Sequence, residues 1–104
     1  MVRLARFGDL TIDLNGYLVR SSGRVVSLTA KEYELLRVLA SDPGRVFTRQ
    51  TLLQKVWGLS SGQATRTLDV HVRRLRSKIE SKERHYVETV RKVGYRFVAP
   101  PQDS

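Results

Sequence analysis

Apolar and polar residues alternate early in the chain, where Leu10, Ile12 and Leu14 are separated by Thr11 and Asp13. A period of two marks a strand with one buried face. The run leads into Asn15-Gly16, a two-residue hairpin signal. Tyr17-Leu18-Val19 and Val25-Val26 follow on either side of Ser21-Ser22-Gly23, so an antiparallel sheet is predicted over about residues 4–28. At Thr29 the period changes. Thr29 and Glu32 have the spacing of a capping box, and Leu28 stands where it can staple onto Tyr33, which predicts a first helix over about residues 30–41. Asp42-Pro43-Gly44 stops it. Thr48 caps a second helix over about residues 48–57, with Leu52, Leu53, Val56 and Trp57 as its apolar side and Gly58 placed to end it. A third helix is predicted over about residues 65–81, after the Gly58–Ala64 loop.

The third helix has two distinct sides. At about 100° per residue, Leu68, Val72, Leu75 and Ile79 fall on one side, while Arg66, Val70, Arg73, Arg74 and Ser77 gather opposite. One side can grip a core while the other meets phosphates and base edges. A helix about 10–12 Å across fits the major groove of B-DNA, where arginine is suited to bidentate contacts. A surface helix that shows its arginines only to water has the same pattern, and the rest of the chain decides between the two.

After Glu83 the pattern returns to strands, Tyr86 to Val90 and Tyr95 to Val98, around the basic turn Arg91-Lys92-Val93-Gly94. This predicts a terminal hairpin over about residues 86–98, and residues 99–104 read as a flexible tail. An N-terminal antiparallel sheet, three helices and a C-terminal hairpin make one α+β domain over about residues 1–98, a winged helix-turn-helix. In that fold the third helix reads the major groove and the hairpin reaches the flanking backbone or the minor groove.

Charge strengthens the polyanion reading. The 104 residues hold 19 Lys and Arg against 10 Asp and Glu, a net charge of +9 that favours nucleic acid or an anionic surface. Between Gly62 and Val98 stand ten basic and four acidic residues, so six of the nine net charges lie in that stretch. Absence of cysteine removes disulfides, thiolate metal sites and cysteine nucleophiles, and is compatible with a reducing cytosol. No apolar run approaches the roughly 20 residues that cross a bilayer, so a soluble, cytoplasmic domain with no membrane partner is expected. Catalysis, cofactors and metals are not expected either. His71 and His85 lack a nucleophile at a suggestive spacing, Asp9, Asp13, Asp69 and Glu88 form no recognisable metal cluster, and no phosphate loop or serine elbow occurs. A winged helix serving RNA or protein is the remaining alternative. Against it, Val70 among arginines suits a thymine methyl, and A-form RNA hides its major groove from a helix.

The run Thr67-Leu68-Asp69-Val70-His71-Val72-Arg73-Arg74-Leu75-Arg76-Ser77-Lys78 resembles the OmpR/PhoB-type response-regulator effector domain. So do Val56-Trp57-Gly58, Leu28-Thr29 with Glu32, Leu35-Leu36, Thr89-Val90-Arg91 and Gly94-Tyr95-Arg96-Phe97, and the likeness covers about Phe7 to Val98. The resemblance implies Arg74 as a base contact to guanine O6 and N7, Val70 as the contact to a thymine methyl, and Arg91 as an arginine entering a narrow minor groove. Arg66, Thr67, His71, Arg73 and Arg76 match phosphate contacts, and Thr89 and Tyr95 match backbone contacts in the wing.

Several of these positions have a second reading. Asp69 and Arg73 stand at i and i+4 and can form an exposed helix pair; Arg76 points well off the DNA side and is equally placed to support the fold; Tyr95 can be a packing residue of the hairpin. Trp57 reads as core. Lys92 replaces a glycine usual in the family, which leaves Gly94 to take a positive φ, and Lys92 is either another phosphate contact or a solvated turn lysine.

As partners the resemblance implies double-stranded DNA in direct-repeat half-sites, RNA polymerase, and a receiver domain with its sensor kinase if the chain is a fragment of a response regulator rather than a free-standing relative. The family touches polymerase through the loop before the third helix. Here Gly58 to Thr65 has no acidic residue to pair with a basic polymerase surface.

Overall fold

The computed structural model describes residues 3–58 and 65–100. Four strands, β1 (Leu4–Phe7), β2 (Leu10–Asp13), β3 (Val19–Ser21) and β4 (Arg24–Val26), form an antiparallel sheet in sequence order. Alternation decides its faces: Leu10, Ile12 and Val19 are fully buried. Its tight turns differ from the expected one. Ser21 pairs with Arg24, so Ser22-Gly23 is a two-residue turn, and both residues have positive φ, 52° and 79°, as a primed hairpin turn requires. At Asn15-Gly16 the Asp13 carboxylate accepts the N–H groups of Asn15 and Gly16 at 2.9 and 3.0 Å. This local capture widens the bend, so that the Asp13 N–H reaches the Leu18 carbonyl and positive φ falls on Tyr17.

Helix α1 (Ala30–Ala40) starts at the expected capping box: Thr29 Oγ1 accepts the Glu32 N–H at 3.2 Å, and Glu32 Oε1 accepts the Thr29 N–H at 3.0 Å. Helix α2 (Arg49–Trp57) starts at Thr48, whose hydroxyl accepts the Thr51 N–H, and ends at Gly58 in the left-handed conformation. Helix α3 (Thr65–Ile79) stops two residues short of the expected end. There Glu80 directs its carboxylate to the N–H groups of Tyr86 and Val87, both at 2.8 Å, and ties the helix end to the hairpin.

The hairpin consists of β6 (Val87–Val90) and β7 (Gly94–Phe97). It is not alone. A short strand absent from the sequence reading, β5 (Val46–Thr48), pairs antiparallel with β7 and gives a three-stranded sheet in the order β5-β7-β6. Three residues between two helices carry no usable period, and the partner strand lies far along the chain. Gly94 makes the pairing possible, because a Cβ there would overlap the Phe47 carbonyl.

Between the two sheets the three helices enclose the core, to which Leu36, Leu39, Leu52, Leu53, Leu68, Leu75 and Phe97 contribute fully or nearly fully buried side chains. Each such leucine is worth about 1.5–3 kcal/mol of burial. Trp57 is partly buried against this core. Among the described residues no helix is long and apolar enough to cross a membrane.

Candidate nucleic-acid interface

Four buried residues, Leu68, Val72, Leu75 and Ile79, fix the rotation of α3. The opposite side is thereby turned to solvent: Arg66, Val70, Arg73, Arg74 and Ser77 are exposed, Val70 to 38%. Among the described residues, the guanidinium groups of Arg66, Arg73 and Arg74 take part in no hydrogen bond or ion pair. They are donors with no partner among the described residues, arranged around one exposed apolar side chain. Such a surface suits an anionic lattice that also presents methyl groups.

The Asp69–Arg73 pair that the sequence left open is not formed. Asp69 Oδ1 instead accepts from Arg49 Nε at 3.3 Å and from the Tyr95 hydroxyl at 2.6 Å. Arg49 opens α2, where a cation opposes the helix dipole, and the carboxylate it meets twenty residues later compensates. Its guanidinium also lies over the Tyr95 ring, 5.3 Å from the centroid. Burial weakens the charge of Arg49, but Asp69 and Tyr95 outweigh it and hold the group more firmly protonated than usual. For the Tyr95 hydroxyl, burial and then the Asp69 carboxylate both raise the pKa, so it remains a donor. Sequence reasoning missed Arg49; a basic residue at the first position of a helix was the available signal.

Arg76 and Tyr95 are thus turned to the seam between α3 and the hairpin. Arg76 Nε donates to the Val87 carbonyl at 3.1 Å, its terminal nitrogen donates to Thr89 Oγ1 at 2.5 Å, and its guanidinium lies 5.4 Å from the Tyr95 ring centroid. Tyr95 is only 4% exposed. The Tyr95 hydroxyl proton is given to Asp69, whereas the Arg76 guanidinium gives β6 only part of its five N–H donors. Thr89 itself is exposed on the hairpin.

On the other flank of α3, Thr67 and His71 are half-buried. His71 Nδ1 lies 2.7 Å from the Thr67 carbonyl, and because a carbonyl only accepts, Nδ1 carries the proton. The imidazole ring meets Trp57 edge-on at 5.0 Å, which gives this partly buried indole a second task besides the core.

At the wing tip Arg91, Lys92 and Val93 are exposed. Lys92, and not Gly94, takes the positive φ, 66°, in the turn closed by the Val93 N–H on the Val90 carbonyl. Gly94 is needed for the close approach of β5 instead. The Val93 carbonyl accepts the Arg49 N–H at 3.3 Å, so the start of α2 holds the tip from behind. The Gly58–Ala64 loop, considered for a polymerase contact, lies outside the described residues save for Gly58.

Comparison with known proteins gives a consistent result. Residues 21–97 match the family described as transcriptional regulatory protein, C terminal. The chain is 48% identical over 93 residues to the transcriptional regulatory protein CseB of Streptomyces coelicolor, covering 89% of this chain and 38% of that protein. It therefore spans about two fifths of the length of such curated relatives. The fold superposes on the response regulator DrrB of Thermotoga maritima, an OmpR/PhoB homologue, with a TM-score of 0.82 at 37% identity, over 92% of this chain and 44% of that one. With the DNA-binding domain of Klebsiella pneumoniae RstA, solved in complex with the RstA box, the TM-score is 0.83 at 33% identity, over 92% and 97% of the two chains. By sequence and by fold, the chain belongs to the OmpR/PhoB-type family of transcriptional regulatory protein C-terminal domains.

Proposed function

We propose that this domain binds duplex DNA sequence-specifically, with α3 in the major groove and the wing at the adjoining minor groove or backbone. The observation that carries the reading is the set of three guanidiniums, unpartnered among the described residues, around exposed Val70 on a helix whose other side is locked into the core. The complex of the related RstA domain with its box supports it. Arg74 is assigned to guanine O6 and N7 and Val70 to a thymine methyl. Arg66, Thr67, His71 and Arg73 are assigned to phosphates, and Arg91, with Lys92 and Thr89 beside it, to the minor groove and its backbone. Arg76 and Tyr95 are assigned first to the seam, where Arg76 keeps N–H groups not given to β6 for a neighbouring phosphate while the Tyr95 hydroxyl is bonded to Asp69.

The chain covers only part of its relatives. The proposal therefore extends to a longer cytoplasmic response regulator in which a receiver domain, phosphorylated by a sensor kinase, pairs two such domains on direct-repeat half-sites and engages RNA polymerase. Linking two domains multiplies a modest single-site affinity through effective concentration. The test is selection from a random duplex-DNA pool at roughly 150–200 mM salt, where non-specific binding is weak. Enrichment of a short motif, repeated in tandem, is the expected result; salt-sensitive binding with no enriched motif would overturn sequence-specific reading by this domain.

A further inference from the structure

The outer strand of the wing needs a further restraint. β5 anchors the inner strand β7, but among the described residues β6 is a sheet edge paired only with β7. The restraint comes from α3 and α2. Asp69, next to Val70, receives the Tyr95 hydroxyl and Arg49 Nε; Arg76, two residues after Arg74, binds the Val87 carbonyl and Thr89 Oγ1. Arg49 closes the circuit by donating its own N–H to Val93 at the wing tip.

The bonds to Asp69 and to the Val87 carbonyl are partly buried, which strengthens them, while the Arg76–Thr89 bond lies at the surface. Rotation of α3 about its axis, or tilting of the hairpin, breaks several of them together. Resting on the DNA reading proposed above, we infer that this seam is a positioning device. It fixes the wing at one angle to α3, so that both elements meet DNA as one rigid body. Asp69, Tyr95 and Arg76 then set how much the wing contributes to site choice through that angle rather than by reading a base. A wing already held in place loses little conformational freedom on binding, whereas a loosened one must be ordered at the expense of its contact.

The test is a double-mutant cycle between the seam and the wing tip, since among the described residues Arg91 makes no hydrogen bond or ion pair with the seam. Tyr95→Phe keeps the buried ring and removes only the hydroxyl; Asp69→Asn keeps the shape and removes the charge. Arg91→Ala and Arg66→Ala are each placed on the parent and on both variants, and affinity for the selected duplex is measured by fluorescence anisotropy alongside a thermal melt. The expected result is that the affinity cost of Arg91→Ala shrinks at least about threefold on the seam variants, while that of Arg66→Ala is unchanged. An equal cost of Arg91→Ala on all folded backgrounds would overturn the inference. Shrinkage of both costs together would also overturn it, because it would reveal a general disturbance of α3. A parent protein without any sequence preference would instead sink the DNA reading itself.

Discussion

Arg74 and Arg76 stand two residues apart in α3, and their surroundings give one residue type two different tasks. Arg74 is exposed and its guanidinium has no partner among the described residues, whereas Arg76 is half-buried and bonded to two residues of β6 while stacking on Tyr95. The difference is angular. About 200° of helix rotation separates them, which takes one to the outer face and the other to the flank that meets the wing. Arginine counts in a basic helix therefore overstate the ligand-facing charge, and the burial of the opposite stripe is what sorts them.

The inner side of α3 is the most sensitive to change. Leu75→Ala removes a fully buried side chain from the stripe and is expected to cost about 2–5 kcal/mol of stability, measured by urea unfolding. DNA preference of the fraction still folded should be unchanged. Arg74→Ala should give the opposite signature, a loss of about 1–3 kcal/mol in binding to the preferred site and relaxed choice at one base pair, with an unaltered melting curve. Equal loss on every sequence would make Arg74 a phosphate contact.

Smaller effects sharpen the picture at the edges. Lys92 holds a left-handed backbone that costs an ordinary residue about 1 kcal/mol, so Lys92→Gly should stabilise the domain by about that amount. The same variant should lower the salt slope of DNA binding by about one, the mark of a lost phosphate contact; an unchanged slope would leave Lys92 as a turn residue only.

The smallest expected effect is acid dependence at Glu32, which is 1% exposed and bonded to Lys78 Nζ at 2.6 Å. Burial pushes its pKa up, but the Lys78 hydrogen bond and the Thr29 N–H outweigh it and leave the pKa lowered. Because the folded pKa is depressed, the stabilisation is present above the unfolded value of about 4.5 and is lost as pH falls through the folded one. Thermal melts of the parent and Glu32→Gln from neutral to acid pH should show the gap between them closing on acidification. A constant gap would remove Glu32 as a source of acid sensitivity.

What was legible in the sequence was whatever a few consecutive residues decide. The capping box of Thr29 and Glu32, the Thr48 cap, the Gly58 stop and the buried stripe of α3 are all settled within a turn or two of helix, and each is found in the structure. The outer face of α3 followed from that stripe. Tertiary structure decided everything that joins distant segments: the β5 strand on β7, the choice of Arg49 over Arg73 as the partner of Asp69, and the turning of Arg76 and Tyr95 into the seam.

The wing turn shows why. A local rule gives the positive φ to Gly94, but the Phe47 carbonyl, brought up by β5, reserves Gly94 for close packing, and the strained backbone falls on Lys92. Periodicity and capping are properties of adjacent residues, so the chain carries them openly. A side chain's partner depends on which surfaces collapse together, and only the packed core fixes that.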